Sequence, residues 1–425
     1  NDTPGFIGNR IGTFWMQSAI NATLDLEMSV EDADAILSKP MGLPKTGVFG
    51  LLDLVGIDLI PYISASLIKS LPADDLYVTE NRQVPLMDKM IEDGYTGRKG
   101  KGGFYRINRE GGGKVKESIN LKTGEYAKSE KSRLESVDAG KKGLRALAEH
   151  PDKGGQLAWR VLKESLVYAL KLVPEIADDI VKVDEAMRTG FGRKFGPFEM
   201  LDQLGVEWFT DKLKEEGIEI PPLLEKAAGR PFYKVEDGQR YYLTTAGDYG
   251  KIERPEGVML LADIKLASEP LAKNASASVW DIGDGVLCFE FTGKMNSLDE
   301  NVFKMYQKVM GLIDGKTYKA LVIYNEGSNF SVGANLGLAM FAANIALWPQ
   351  VEESVRVGQQ VYKALKSAPF PVVGAPSGMA LGGGCEILLH CDAVQAHAET
   401  YTGLVEVGVG LIPGWGGCKE MLARH

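Results

Sequence analysis

The chain has 425 residues, more than one hydrophobic core normally holds, so several domains are expected. Hydrophobic residues make up 44% of it, and 57 acidic against 48 basic side chains give a net charge of -9. This balance argues against general nucleic-acid binding, which needs clustered lysine and arginine. No apolar run is long enough for a membrane span, and the four cysteines form no CxxC pair, so reduced thiols in the cytoplasm are expected.

A repeat occupies the first half of the chain. The segment 32–58 matches the segment 182–207, and each follows an amphipathic helical stretch, at 10–26 and 156–172. Two helical units of one build are therefore predicted, and related surfaces of this kind can pack as an internal pseudo-dimer. The matched pairs are Asp34 and Asp184, Gly42 and Gly192, Gly47 and Gly196, Phe49 and Phe198, Leu52 and Leu201, Asp53 and Asp202, and Gly56 and Gly205.

Polar, charged sequence surrounds the second copy. The run REGGGKVKESINLKTGEYAKSEKSRLES, which begins at Arg109, offers little to bury and is predicted as a linker, as is a later polar stretch. The predicted domains are a first helical copy at 1–105, a linker at 106–155, a second helical copy at 156–232, a linker at 233–277 and a third domain at 278–425.

From Ser278 the pattern alternates between strands and helices. The short β-rich runs GVLCFEF, KALVIYN and FPVVGAP are bounded by glycine, asparagine or proline, with helical pattern between them. Such alternation indicates an α/β domain. One of its helices is expected to begin with a capping box formed by Ser297 and Glu300.

Glycine-rich turns in this domain predict a site for a negatively charged oxygen. In PVVGAPSGMALGGGCEILLHC the glycines leave N–H groups free near a helix start, and NFSVGANLGL exposes a second such turn. Two N–H donors of this kind can stabilise an enolate or a tetrahedral oxyanion. The glycines alone favour tight packing of a helix on a sheet over such a site.

Two carboxylates stand beside these turns in apolar surroundings. Glu386 follows the glycine run, and Glu406 lies in YTGLVEVGVGLIPGWGG. A pair of this kind is suited to general acid and base catalysis. The alternatives are that Glu386 only interacts with the helix dipole and that Glu406 is a surface acid.

These stretches resemble the crotonase family, specifically its enoyl-CoA hydratases. The resemblance implies that Glu386 and Glu406 hold and activate one water, which adds across the C2–C3 double bond of an enoyl thioester of coenzyme A. It also implies that the N–H groups of Ala334 and Gly383 hold the thioester oxygen. Lys294, in TGKMNSL, is a candidate contact for the phosphates of coenzyme A, or else a solvated loop lysine.

Two positions depart from the family pattern without removing a catalytic group. Asn335 stands where an aspartate is common, and Val405 stands where a proline often precedes the second glutamate. An isomerase or hydrolase of the same fold that uses one glutamate is the alternative enzyme. A non-catalytic assembly scaffold is the alternative for this chain.

The start of the chain resembles a second family. DTPGFIGNRI and YTGRKGKGGFYRI are similar to the C-terminal helical domain of 3-hydroxyacyl-CoA dehydrogenases, and the repeat over 156–232 is similar to the second copy in multifunctional β-oxidation enzymes. The resemblance implies that Asn9 lies in an active site, although local sequence favours a helix cap or turn. It implies NAD for the full-length protein only, since no GxGxxG follows a strand here.

The expected fold class is multidomain, with tandem all-α helical domains followed by an incomplete α/β crotonase-like domain. The chain is expected to be the central segment of a longer bifunctional enzyme of fatty-acid β-oxidation. The resemblance implies acyl-CoA substrates, a thiolase as partner and a homo-oligomer. No metal is expected, because the only Cys and His cluster fits no common zinc spacing; its members are Cys385, His390, Cys391 and His397.

Overall fold

The computed structural model describes residues 1–109 and 112–424. Residues 110 and 111 of the first predicted linker, and residue 425 of the third predicted domain, lie outside the described residues. The chain divides into two compact units, Asn1–Glu253 and Arg254–His425. In the part that is described, no single helix has the length and apolarity of a membrane span; Gly47–Val55 and Ile57–Ser70 meet that measure only as a pair bent by 80°.

The first unit holds two copies of one helical arrangement. Their long helices, α1 and α9, pack against each other. The ring centroids of Phe14 and Tyr168 lie 4.1 Å apart, and Ser18 Oγ donates to Glu164 Oε2 at 2.5 Å. The two copies therefore pack face to face, as the repeat predicts. The helices are α1 (Gly8–Asp25), α2 (Val30–Ile36), α3 (Gly47–Val55), α4 (Ile60–Ser70), α5 (Leu76–Thr79), α6 (Pro85–Glu92), α7 (Ser136–Ala139), α8 (Leu144–Ala148), α9 (Lys153–Leu172), α10 (Ile180–Phe191), α11 (Pro197–Leu204), α12 (Val206–Glu215) and α13 (Pro222–Ala227).

Two small antiparallel sheets lie where the sequence predicts linkers. The linker prediction for 106–155 and 233–277 is wrong at these sheets and at the helices 136–139, 144–148 and 261–267, which also lie in the two ranges. The remaining domain boundaries stay predictions. The strands bury few side chains, mainly Ile119 and Leu243, so their sequence has the polarity of a loop. The sheets have the orders β1-β2-β3 and β4-β5-β6. Their strands are β1 (Tyr105–Asn108), β2 (Val115–Ile119), β3 (Tyr126–Lys128), β4 (Tyr233–Glu236), β5 (Gln239–Leu243) and β6 (Tyr249–Lys251).

A repeated aspartate fastens each small sheet to its own copy. The carboxylate of Asp53 accepts hydrogen bonds from the successive backbone amides of Phe104 and Tyr105, at 2.7 and 2.8 Å. Asp202 accepts from the two equivalent amides of the second copy at 2.6 and 2.8 Å. Because these amides begin a strand and would otherwise lack partners, the carboxylate satisfies both. The repeat therefore extends through the sheets.

The other repeated aspartates give the first unit a pH-dependent stability. Burial raises the pKa of Asp34 and of Asp184 to about 7, although the backbone N–H groups that donate to these carboxylates lower it. In the unfolded chain each pKa is close to 3.9. Because the folded value is higher, the stabilisation from each protonated carboxyl is complete below about pH 4 and lost as the pH rises to about 7.

We therefore expect the free energy of unfolding of this unit to fall between pH 4.5 and about pH 7.5. Urea unfolding followed by circular dichroism across this range measures it. The Asp34→Asn variant should show a shallower fall, since it removes one titrating group. The matched control is Asp88→Asn, at an exposed position of α6. Equal slopes for the two variants would contradict the role of Asp34.

The second unit is built on a mixed sheet with the order β14-β12-β10-β9-β8-β7. Strands β9, β10, β12 and β14 run parallel, and β7 and β8 pair antiparallel at one edge. A smaller parallel sheet has the order β11-β13-β15. The elements are α14 (Leu261–Ala267), β7 (Ala272–Lys273), β8 (Ala277–Asp281), β9 (Val286–Phe291), α15 (Glu300–Leu312), β10 (Ala320–Ile323), β11 (Asn329–Ser331), α16 (Leu336–Asn344), α17 (Trp348–Lys366), β12 (Val372–Gly374), β13 (Met379–Leu381), α18 (Gly383–Leu389), β14 (Ala393–Val394), β15 (Tyr401–Gly403) and α19 (Gly417–Arg424).

This order of elements agrees with the predicted α/β class, and one local prediction is wrong. The capping box expected from Ser297 and Glu300 does not form, because Asp299 is the N-cap of α15 and its carboxylate accepts from the N–H of Val302 at 3.0 Å. An aspartate at this position meets the same need for an acceptor. The N-cap therefore lies two residues beyond Ser297, and the helix begins at Glu300.

Candidate active site

The glycine run places Glu386 on the first turn of α18. Gly382 is the N-cap of this short helix and has a φ of +55°, which side chains rarely tolerate. Its N–H donates to the carbonyl oxygen of Gly403 at 2.9 Å, which ties the turn to β15. A Cβ atom on Gly382 would lie 3.2 Å from Oε1 of Glu406. The run therefore brings the two predicted glutamates to the same turn.

Glu386 is fixed by backbone hydrogen bonds in a buried setting. Its side chain is 2% exposed, and Oε1 accepts from the N–H groups of Trp415 and Gly417, at 2.9 and 2.8 Å. Burial, together with the charge of Glu406, raises the pKa of Glu386, and the two N–H groups oppose this shift. These two hydrogen bonds occupy Oε1 and leave Oε2 as the oxygen able to meet a ligand.

Glu406 begins a short 3-10 turn, Glu406–Val409, and is half-buried. Its Oε2 is buried and has no hydrogen-bond partner among residues 1–109 and 112–424. Burial raises the pKa values of Glu386, Cys385 and Tyr362, and the charge of Glu406 adds to each of these shifts. A buried carboxylate oxygen without a partner is costly, which is typical of an atom that binds a ligand. The structure thus brings both predicted glutamates together.

The two predicted amide positions are also close. A Cβ atom on Gly333 would lie 2.7 Å from the backbone nitrogen of Gly383, so the turn after β11 touches the start of α18. Ala334 follows Gly333 directly and pairs with Leu298 in an isolated parallel bridge. As the first residue of a helix, Gly383 has an N–H without an intrahelical acceptor. The arrangement suits a pair of donors to one oxygen, which remains a prediction.

Two aromatic residues support this site, and the sequence reasoning did not single them out. Tyr362, from α17, is fully buried and donates from its hydroxyl to the carbonyl oxygen of Gly383 at 2.7 Å. The Trp415 ring packs on Tyr362 and Phe303, with both centroids at 5.4 Å. The GWGG stretch could have flagged Trp415, whereas Tyr362 lies in an ordinary amphipathic helix. Both hold the start of α18 in place.

The remaining predicted site residues lie elsewhere. Asn9 is an exposed residue of α1 in the first unit. The N-cap of α1 is Ile7, with no side-chain cap, so the helix-cap alternative for Asn9 is wrong. Lys294 is exposed in the 3-10 turn Lys294–Asn296 of the second unit. Their roles stay predictions.

Two members of the cysteine and histidine cluster contact backbone carbonyl oxygens of α18. His390 Nδ1 lies 2.7 Å from the carbonyl oxygen of Glu386, and Cys391 Sγ donates to the carbonyl oxygen of Ile387 at 3.3 Å. Across the described ranges, no three His, Cys, Asp or Glu side chains converge as a metal site would require. The four cysteines are free thiols.

A methyl group at Gly384 tests how tightly the two turns fit. A Cβ atom there would lie 2.4 Å from the carbonyl oxygen of Ser331, so the backbone must move. We expect Gly384→Ala to lower the free energy of unfolding of the second unit by about 1–3 kcal/mol. In Gly403→Ala the new Cβ meets nothing within 4 Å, and we expect a change below about 0.5 kcal/mol. Calorimetry measures both, and equal effects would contradict the close fit.

Two family models match the chain, one in each unit. The model of the 3-hydroxyacyl-CoA dehydrogenase C-terminal domain matches residues 5–107 and 155–244. The model of enoyl-CoA hydratase/isomerase matches residues 282–425. The split match of the first model coincides with the two helical copies, and the second covers the site with both glutamates.

Similar proteins carry both domains in one chain. The chain is 35% identical over 424 residues to a putative fatty acid oxidation complex trifunctional enzyme of Rickettsia felis, covering 100% of this chain and 55% of that protein. It is 35% identical over 433 residues to a probable 3-hydroxyacyl-CoA dehydrogenase of Bacillus subtilis, covering 100% and 54%. The chain thus spans about half the length of these curated relatives.

Solved structures also match part of the chain. An enoyl-CoA hydratase from Bacillus anthracis is 26% identical, with a TM-score of 0.32, over 35% of this chain and 57% of that one. The assignment of the chain to a family depends on the two family models and on the relatives that match all of this chain. Both agree with the predicted resemblance and fold class. The chain belongs to the proteins that join the C-terminal helical domain of 3-hydroxyacyl-CoA dehydrogenases to a domain of the enoyl-CoA hydratase/isomerase family.

Proposed function

We propose that the second unit hydrates 2-enoyl thioesters of coenzyme A to 3-hydroxyacyl-CoA, as a step of fatty-acid β-oxidation. The observation that carries this proposal is the pair of glutamates at one turn. Glu386 is held by two backbone amides, and Glu406 keeps a buried oxygen without a partner in the described chain. One water held by two carboxyl groups is what hydration needs, since a proton must leave the water and another must reach the substrate.

The proposed reaction uses the amide pair and the glutamates together. The thioester oxygen accepts from the N–H groups of Ala334 and Gly383, which stabilise the enolate that forms as water oxygen bonds to C3. One glutamate takes a proton from the water, and the other delivers a proton to C2. The overall change adds H and OH across the double bond. The raised pKa of Glu386 helps it to hold a proton during this exchange.

The alternative enzyme is an isomerase or hydrolase that uses one glutamate. Isomerisation moves a double bond without water, and hydrolysis releases free coenzyme A. Glu406 Oε2, which has no hydrogen-bond partner among residues 1–109 and 112–424, favours hydration, because a reaction catalysed by one acid leaves this oxygen without a role. A non-catalytic scaffold predicts no turnover and gives no reason to bury that oxygen.

The direct test is to incubate a protein that carries this chain with a 2-enoyl-CoA. We expect loss of the ultraviolet absorbance of the conjugated double bond and formation of 3-hydroxyacyl-CoA, identified by mass spectrometry as a gain of one water. Release of free thiol, or an isomer of unchanged mass, would assign the alternative chemistry. Absence of any product would support the scaffold.

The first unit is proposed to serve the NAD-dependent oxidation of the 3-hydroxyacyl-CoA product. Asn9 is the residue for which the resemblance implies a role, and its exposure leaves it accessible. No glycine-rich turn between a strand and a helix of the dinucleotide type occurs in residues 1–109 or 112–253. The NAD site therefore stays a prediction for the protein as a whole.

The proposed partners follow from the same family. Acyl-CoA thioesters are the proposed substrates, with Lys294 as the proposed contact for their phosphates. A thiolase partner, a homo-oligomer and a cytoplasmic location are proposed on the resemblance and on the four free cysteines.

A further inference from the structure

A small cavity lies in the first unit, where the two helical copies meet. Its volume is about 10 Å³, and residues of α1 and α9 line it. Most of the lining is apolar, but three polar side chains also reach it: Trp15 of the first copy, Ser165 of the second, and Arg193, which follows α10. The proposed hydration site lies in the other unit, so this cavity is a separate feature.

Each of the three polar side chains has an unsatisfied atom. Trp15 Nε1, Ser165 Oγ and Arg193 Nη2 are buried and have no hydrogen-bond partner within residues 1–109 and 112–424. The residues are only 5%, 6% and 7% exposed. The indole and guanidinium groups are donors only, and the serine hydroxyl can donate. Since a buried donor without an acceptor is costly, three such donors around one cavity indicate a guest that accepts hydrogen bonds.

Charge narrows the identity of this guest. Arg193 forms no ion pair in the described part of the chain. Burial lowers its pKa only to about 10, so it stays a cation near neutral pH. Asp184 acts on it electrostatically, but the two carboxylate oxygens of Asp184 accept from the amides of Phe198 and Glu199. The guanidinium carbon of Arg193 lies 5.3 Å from the centroid of the Trp15 ring. This cation–π contact attracts the guanidinium but gives its N–H groups no hydrogen-bond acceptor. A buried cation of this kind calls for a negative guest.

We propose that this cavity binds a single halide ion, which accepts hydrogen bonds from Trp15, Ser165 and Arg193. A space of this size holds one guest of about the size of a water molecule, so phosphates, carboxylates and nucleotides are too large. The ion compensates the charge of Arg193 and joins a donor of the first copy to a donor of the second. It therefore stabilises the packing of α1 on α9.

Thermal unfolding in different sodium salts tests this proposal. At equal ionic strength, chloride or bromide should raise the unfolding temperature of the first unit by roughly 2–6 °C over gluconate, which is too large for the cavity. The Arg193→Met variant should lose this difference. Lys194→Met, which removes an exposed charge from the neighbouring residue, is the matched control and should keep it. Equal unfolding temperatures of the unsubstituted protein in halide and gluconate would overturn the proposal.

Crystals grown in bromide provide a second measurement that does not depend on a variant. We expect an anomalous scattering peak between Trp15 Nε1 and Arg193 Nη2. An ordered water at that position, without anomalous signal, would overturn the proposal in favour of a hydration site. If Arg193→Met does not fold, Ser165→Ala replaces it, and we expect a several-fold weaker dependence on halide concentration. An unchanged dependence would remove Ser165 from the site and count against the proposal.

Discussion

Replacing Glu386 by glutamine should lower the rate of enoyl-CoA hydration by about 10²–10⁴-fold. Glutamine keeps an oxygen that can accept from the amides of Trp415 and Gly417, so the turn should hold its shape. What the variant loses is the ability to take or deliver a proton. Steady-state loss of enoyl absorbance measures the effect, and Glu406→Gln should show a loss of similar size.

The control for this experiment is Glu399→Gln, an exposed acid of the same unit. It makes the same change of charge, and we expect its hydration rate to equal that of the unsubstituted protein. Unfolding temperatures of the three variants show whether each is folded. Near-normal hydration by both Glu386→Gln and Glu406→Gln would exclude the two-glutamate mechanism, while loss in only one would favour single-acid chemistry.

Replacing Arg10 by methionine should destabilise the first unit by about 3–5 kcal/mol. Arg10 is fully buried, and its guanidinium bonds to Asp75 and to the hydroxyl of Tyr168, each at 2.5 Å. The same hydroxyl donates to Asp75 at 2.8 Å, so the three side chains close a ring of hydrogen bonds. Removing the cation leaves the Asp75 carboxylate in a buried setting without its charge partner. Urea unfolding followed by circular dichroism measures the loss.

The control here is Arg82→Met. Arg82 also pairs with an aspartate, Asp25, at 2.8 Å, but both side chains are substantially exposed, at 48% and 38%. Exposed pairs contribute about 0–1 kcal/mol because water and salt screen them. A loss of similar size in the Arg10 and Arg82 variants would show that burial of the ring does not carry the effect.

The two glutamates could be predicted from the sequence because the residues that indicate them are close neighbours in the chain. Glu386 and Glu406 each lie within a few residues of the glycines that shape their turns, so one short stretch contains both the chain geometry and the acid. The resemblance supplied their pairing. Arg10 is the opposite case: it directly follows Asn9 in the same motif, but its role is not predicted from the sequence. Its partners lie 65 and 158 residues away, and no local pattern indicates them.

The small sheets escaped prediction for a related reason. Strands such as Tyr105–Asn108 expose much of their surface, so they lack the apolar alternation by which strands are recognised. What holds them is a pair of amide hydrogen bonds to an aspartate about 50 residues earlier, Asp53 in the first copy. The pair Phe104 and Tyr105 recurs in the second copy as Phe232 and Tyr233, and the contact with the aspartate shows what this repeated pair does.

The separate fastening of the two small sheets has a consequence for how the duplicated unit loosens. Each sheet is hydrogen-bonded to an aspartate of its own copy, Asp53 or Asp202, and neither set of hydrogen bonds includes a residue of the other copy. Local fluctuations can therefore detach one small sheet while the other stays packed on its own copy, so the first unit can unfold locally in two separate steps.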